Sequence, residues 1–425
     1  MKSSMATGGR SRRRWGLGRC SAGLNGNLAG APTYLSRLRR ESARFKKTGT
    51  VGEKDMLPLV RPSNVVLEIN LGAIQANFQA ISALVGPNVR AAAVVKSDAY
   101  GLGLVEIART LIDAGCDLLF VANLDEALHL RSSHVGAAIA VFCDDFAKFG
   151  PYYRSNGLIP VVNNCAELEA ISATGRQTYF LNVDTGFSRF GLAFAEVHRA
   201  YLSGTFHRYP PSLVLSHLAC SERGADPTNV LQRNRFQAIY DMLKPTCGSL
   251  AASAGIWLGK SYHFDMVRAG SALYGLNDAG IKPNPLQPVA RLRAKILDMR
   301  SVATGEAVGY GATFRTARTS RVAIVGIGYK HGLPWACGNK TSARFAGYSV
   351  PLIGTICMDN IMVDITDVPD ALCLIGGFVE LLGEDLTVND LAATVGVNPN
   401  EVLARLGAGC TRRYLTSSLR STRQQ

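Results

Sequence analysis

The run Ala91-Ala92-Ala93-Val94-Val95-Lys96-Ser97-Asp98-Ala99-Tyr100-Gly101-Leu102-Gly103 restricts the fold more than any other stretch of the chain. Small and branched apolar residues without polar alternation describe a strand covered on both faces, and such strands belong to parallel sheets wrapped by helices. The strand ends in one lysine, followed at once by a polar, glycine-bearing turn. In parallel α/β folds the carboxyl ends of the strands carry the functional groups. A lysine there is in the general case an exposed charge. Where burial lowers its pKa it keeps a free amine able to form a Schiff base with an aldehyde, pyridoxal phosphate being the obvious one.

The surrounding pattern alternates. Strands are expected at Val65–Ile69, Ala91–Val95, Leu118–Val121, Ala138–Phe142, Pro160–Val162, Thr178–Val183, Leu213–Ser216 and Met266–Arg268. Helices are expected between them, at Leu71–Leu84, Leu104–Ala114, Leu124–Arg131 and Gln232–Leu243. Such alternation indicates an α/β fold, either a closed barrel or an open doubly wound sheet. Beyond Pro288 the texture changes to short strands and glycine-rich turns, at Ala294–Met299, Arg321–Ile327, Tyr348–Ile353, Ile361–Ile365 and Phe378–Leu382. The lysine segment favours the barrel. The expected architecture is therefore a (β/α)8 TIM barrel over 63–288, followed by a mainly β C-terminal domain over 289–425.

A formal net charge of +14 suggests nucleic acid until it is divided along the chain. Residues 1–62 hold 14 Lys and Arg against 3 Asp and Glu, whereas the remainder holds 32 against 29. The basicity belongs to a polar N-terminal extension without a periodic apolar face, read as disordered. A nucleic-acid-binding arm and an organelle-directing peptide are alternatives for it, and a translation start at Met56 is the favoured reading. Nucleic acid and membrane are not expected as partners, because the body is near neutral and lacks a membrane-length apolar run. Ten cysteines stand singly and seven histidines form no ligand cluster, so no metal site is expected and the location is read as cytoplasmic.

Several strings carry chemistry together. They are Lys96–Gly103, Val183-Asp184-Thr185-Gly186-Phe187-Ser188-Arg189-Phe190-Gly191-Leu192, Ser216-His217-Leu218-Ala219, Ala251-Ala252-Ser253-Ala254-Gly255, Val267–Leu276, Val308-Gly309-Tyr310-Gly311-Ala312-Thr313 and Gly354–Asp359. Together they resemble the alanine racemase family over nearly all of residues 64 to 414. That resemblance implies pyridoxal 5'-phosphate on Lys96, with Tyr100, Ser253 and the amides of Gly270 and Ser271 around its phosphate. It places Arg268 at the pyridine nitrogen, with His217 in a hydrogen-bonded chain from Arg268 to the catalytic phenol. Arg189 meets the cofactor phenol oxygen and the substrate carboxylate, which a planar guanidinium fork suits. The Met358 amide is a second carboxylate ligand, and Tyr329 lines the entrance. Stereoinversion needs two acid/base groups on opposite faces of the reacting carbon. The resemblance supplies Lys96 for the D-side proton and Tyr310 of a second subunit for the L-side proton, hence a homodimer with shared active sites.

The expected activity is interconversion of L- and D-alanine, a small amino acid substrate, with the product supplying peptidoglycan. Some positions depart from the family pattern. Asn182 replaces a lysine that is often carbamylated, so an anion steadying Arg189 has to come from elsewhere, a bound halide for instance. Ala252 replaces an asparagine, Lys330 and His331 replace Ala and Asp, and Gly409 falls where an entrance tyrosine is usual. These departures keep open a broad-specificity or serine-preferring racemase. A non-catalytic pyridoxal-phosphate carrier built from the barrel alone is a further alternative, against which the second domain with Tyr310 speaks.

Overall fold

Strand β1 (Val65–Asn70) ends in a residue that starts the next element: the Asn70 side chain accepts from the Ala73 amide at 3.0 Å and caps helix α1 (Leu71–Val85). The computed structural model describes residues 63–175 and 177–416. The basic extension expected over 1–62 lies outside them.

Eight parallel strands follow: β2 (Arg90–Val94), β3 (Leu118–Val121), β4 (Ala138–Val141), β5 (Leu158–Val162), β6 (Phe180–Asn182), β7 (Leu213–Leu215), β8 (Cys247–Ser249) and β9 (Met266–Ala269). Their order is β8-β7-β6-β5-β4-β3-β2-β9. The two ends meet, because the Asp265 amide donates to Gly248 O at 3.0 Å, the Arg268 amide donates to Ala251 O at 3.0 Å, and Ala252 bridges Arg268. The sheet is thus a closed barrel. Helices between the strands begin where short polar side chains cap them: Asn123 for α3 (Leu124–Ser132), after α2 (Leu104–Asp113), then Asp145 for α4 (Phe146–Ser155) and Asn164 for α5 (Cys165–Thr174).

The two-residue period of the strands decides what faces the lumen. Ala92, Val94, Leu118, Phe120, Ala140, Val161, Phe180, Leu213, Leu215 and Met266 fill it as a separate apolar cluster, and Phe120 stacks on Phe142 at 4.9 Å. Their neighbours, such as Ala93, Val95, Leu119, Ile139 and Val214, join the larger core beneath the helices. One step of two beyond the lumen layer lie Lys96, Asn163, Asn182, His217 and Arg268. All five line one cavity at the barrel mouth.

Two strand expectations change. Val65–Ile69 does not open the barrel: β1 pairs antiparallel with β10 (Ala290–Val302) and parallel with the C-terminal strand, placing Leu67 opposite both Leu292 and Arg412. The eighth barrel strand is instead β8, a three-residue Cys-Gly-Ser segment with no apolar run to announce it. Beyond β10 come the hairpin β11 (Ala307–Val308) and β12 (Phe314–Arg315), then β13 (Ser320–Val325), β14 (Ser342–Phe345), β15 (Tyr348–Ile353), β16 (Ile361–Asp364), β17 (Phe378–Leu382) and β18 (Thr411–Leu415). The larger sheet runs β13-β16-β15-β14-β17-β10-β1-β18, and β10 pairs with β13 as well as β17, closing six of these strands on themselves. Buried Glu68 on β1 is paired with Arg293 and Arg291 of β10 and with Arg413 of β18, so its carboxylate ties three strands together. Two helices break the mainly β texture, Val388–Val395 and Pro399–Gly409. Among the described residues no helix is long and apolar enough to cross a membrane.

Candidate active site

Lys96 opens a turn of unusual hand. Ser97, Asp98, Ala99 and Tyr100 all have φ between 52° and 57°, forming one turn of left-handed helix at the end of β2. Such backbone costs about 1–2 kcal/mol per residue, so contacts must hold it. Asp98 supplies two of them: Oδ1 accepts from the Leu104 amide at 2.7 Å, and Oδ2 is paired with Arg412 of β18. Glu126 adds a third, accepting from the Asp98 amide at 3.1 Å, while its other oxygen accepts from the Ala122 amide at 2.8 Å and fixes the carboxylate in place. Tyr414 donates to Leu102 O at 3.0 Å. The second domain therefore braces the lysine turn. Burial lowers the Lys96 pKa and the Arg189 charge lowers it further, with Glu126 opposing both.

The cavity above the lumen measures about 910 Å³. Arg268 lies on its floor, fully buried, with Nη1 donating to Ser249 O at 2.8 Å and Ser249 Oγ at 2.6 Å, and Nη2 donating to Ser216 O and to Leu250 O at 3.4 Å. Its partners are neutral oxygens, and burial lowers its pKa to about 10. The Nε–H is the donor left over for the cavity among the described residues. His217 faces the same space. Burial first, then the charges of Arg268, Arg189 and Lys96, hold its pKa down to about 3, so the ring is neutral at ordinary pH. Its ring meets the edge of Phe187 at 5.3 Å, and the Arg189 guanidinium lies 4.3 Å from the centre of that same phenyl ring. Asn182 donates to Asn163 Oδ1 at 2.8 Å, and Asn163 donates in turn to Phe142 O and Val161 O, both at 2.8 Å. Sequence reasoning missed Asn163; the signal was its place two residues beyond a lumen-facing valine.

Ser253, Gly270, Ser271 and Tyr100 come together at one end of the cavity. Ser253 Oγ accepts from the amides of Gly270 at 2.9 Å and Ala272 at 3.2 Å. The Gly270 amide, expected to face a phosphate, is thus engaged by Ser253. A Cβ on Gly270 would lie 2.6 Å from Tyr100 Oη, so only glycine lets the phenol close over this end. Burial raises the Tyr100 pKa and Asp278 adds to the effect, keeping the phenol a proton donor. Asp278 itself was not foreseen; it accepts from Ser271 Oγ.

Tyr310, Met358 and Tyr329 are placed elsewhere. Tyr310 is 73% exposed and lines a different cavity on the β domain, together with Met358 and Asp359. Tyr329 lines a third with Trp335 and Gly409. Two departures from the family pattern touch each other: a Cβ on Gly409 would lie 2.5 Å from His331 C, so the backbone of one fills the side-chain space of the other. Lys330, a third departure, pairs with Asp359.

Fold and cavity define a lysine-centred barrel site braced by a β domain. Residues 69–278 match the profile of the alanine racemase N-terminal domain, and residues 289–414 that of its C-terminal domain. "Alanine racemase 3" of Mesorhizobium japonicum is 70% identical over 364 residues, which cover 85% of this chain and 94% of that protein. "Alanine racemase, biosynthetic" of the same organism is 69% identical, over 85% and 91%. Among solved structures, the alanine racemase of Bartonella henselae with covalently bound pyridoxal phosphate superposes with a TM-score of 0.78 at 34% identity, covering 83% of this chain and all of that one. The chain belongs to the alanine racemase family.

Proposed function

We infer that the chain interconverts L- and D-alanine at a site made from two subunits, with pyridoxal 5'-phosphate as cofactor. The residues present suit that group: a lysine of lowered pKa, a cradle at Gly270 that a Cβ would fill, and an arginine without a carboxylate partner among the described residues. When bound, pyridoxal phosphate supplies the electron sink that makes the Cα proton of an amino acid acidic. Lys96 holds it and moves the proton on the D side. Tyr310 of the partner subunit moves the proton on the L side. Arg268 would offer Nε–H to the ring nitrogen, and a guanidinium donates such a bond while keeping its own proton, so it would limit the electron sink and leave the substrate Cα open to reprotonation. Arg189 takes the substrate carboxylate, assisted by the Met358 amide of the partner subunit, while neutral His217 adds no further positive charge beside Arg268, Arg189 and Lys96. Ser253, the backbone amide of Ser271 and Tyr100 hold the phosphate, and Tyr329 borders the approach.

The observation that carries this reading is the division of the expected acid/base pair. Lys96 lies in the barrel cavity, whereas Tyr310 stands 73% exposed on the β domain. A chain with both groups but apart needs a second copy to bring them together. The enzyme is accordingly a homodimer; the singly placed cysteines suit the cytoplasm, where its D-alanine would supply peptidoglycan. Racemisation of L-alanine in deuterated water tests it: loss of optical rotation with deuterium at Cα, absent in Lys96→Ala, is expected. Rotation unchanged in the presence of cofactor would refute it.

A further inference from the structure

The end of the cavity read as the phosphate cradle contains an acid. Asp278 lines the same cavity as Tyr100, Ser253, Gly270 and Ser271, and its carboxylate accepts from Ser271 Oγ. The loop that carries it is fixed. Asn277 Nδ2 donates to Ile281 O at 2.8 Å and Asn277 Oδ1 accepts from the Ile281 amide at 3.0 Å. The Asn277 amide donates to Asn389 Oδ1 at 3.3 Å, and Asn389 Nδ2 donates to Gly275 O at 3.2 Å. No cation pairs with Asp278 among the described residues, and its charge reaches the Tyr100 phenol across the cradle. Burial raises its pKa, the Ser271 bond opposes this, and Glu222 adds a second like charge.

We propose that Asp278 weakens the grip of this site on the cofactor phosphate, by holding the Ser271 hydroxyl for itself and by presenting a carboxylate to a dianion. This rests on reading Tyr100, Ser253, Gly270 and Ser271 as the phosphate cradle. A hydroxyl has one proton to donate, so Ser271 Oγ serves either Asp278 or the phosphate. Like charges sharing a partly buried site repel more strongly than in water. The site then favours a cofactor that exchanges at its phosphate end while Lys96 secures the other end.

Apoprotein titrated with pyridoxal phosphate and, separately, with pyridoxal tests this, following the absorbance change and the quenching of intrinsic fluorescence. Asp278→Asn keeps the shape but leaves only a neutral amide oxygen in place of the carboxylate, so the phosphate outcompetes it for the Ser271 proton. It should tighten pyridoxal phosphate about tenfold, and inorganic phosphate as a competitor similarly, while pyridoxal changes less than about twofold. Ser271→Ala should hardly alter pyridoxal phosphate binding in the native background, and should weaken it in the Asp278→Asn background, where the hydroxyl is released. Equal tightening of pyridoxal, or no tightening of either, overturns the inference and leaves the cofactor assignment intact. A native apoprotein that binds neither compound overturns the assignment and the inference together. Near-ultraviolet circular dichroism matching the native chain confirms that each variant is folded, and Asp278→Ser, which also lacks the charge, should tighten pyridoxal phosphate in the same direction.

Discussion

Replacing Asp98 separates the two duties of its carboxylate. Four successive residues in the left-handed region, Ser97 to Tyr100, carry about 4–8 kcal/mol of backbone cost in total. Against this stand the bond from the Leu104 amide to Asp98 Oδ1 at 2.7 Å, a charge-assisted contact of about 1.5–3 kcal/mol. The ion pair with Arg412, half exposed on the Asp98 side, adds at most about 1 kcal/mol. Asp98→Asn tolerates the left-handed backbone and keeps an acceptor for Leu104, losing charge alone; it should cost about 1–2 kcal/mol. Asp98→Ala loses both contacts and places a side chain that avoids this region of backbone, and should cost about 3–5 kcal/mol. Urea unfolding at pH 7 measures both. Because the same turn aims Lys96, Asp98→Ala should also lower kcat about a hundredfold, as small misplacements of a reacting group do. An Asp98→Ala chain no less stable than Asp98→Asn would refute the claim that the carboxylate holds a strained turn.

Tyr310→Phe should lower turnover by about 10² to 10⁴, as loss of a general acid/base does, with the dimer intact on gel filtration; near-full activity would remove Tyr310 from the reaction. Gly270→Ala pushes a methyl group to within 2.6 Å of Tyr100 Oη and should weaken pyridoxal phosphate binding by tenfold or more in a spectrophotometric titration, affecting pyridoxal less. Arg268→Lys leaves Ser216 O and Ser249 O short of donors and should lower the urea unfolding free energy by about 3 kcal/mol; a change under about 1 kcal/mol would contradict the buried network. His217 titrates near 6.5 when unfolded and at about 3 when folded. Between these values the unfolded chain binds a proton that the native chain does not, so the His217 contribution is complete above about pH 6.5 and is lost as the pH falls toward about 3. His217→Gln should therefore lose less stability than the native chain between pH 7 and pH 4.5, and an equal loss would contradict the neutral assignment.

The legible parts were those with a local signal. The apolar run before Lys96 announced a buried strand, whereas His217 and Arg268 came from the resemblance, and the period of two beyond the lumen layer that sets all three at one mouth shows only once the strands are in place. What escaped depends on partners far along the chain. Cys247–Ser249 becomes a barrel strand because it is held between β7 and the loop leading to β9, and nothing in its three side chains says so. Val65–Ile69 looks like any buried strand, and its place in the second sheet follows from Arg291, Arg293 and Arg413 converging on Glu68. The left-handed turn could not be read from Ser-Asp-Ala-Tyr, since its stability comes from Glu126, Arg412 and Tyr414. Asp278 was hidden for a related reason: only the fold brings it to Ser271.

The shared site is tested most directly by mixing two inactive chains, Lys96→Ala and Tyr310→Phe, under conditions that let subunits exchange. Each heterodimer would hold one site with neither group and one with both, so random pairing of equal amounts should restore about a quarter of native activity. A mixture no more active than its components, with exchange verified by mass labelling, would contradict a site built from two subunits.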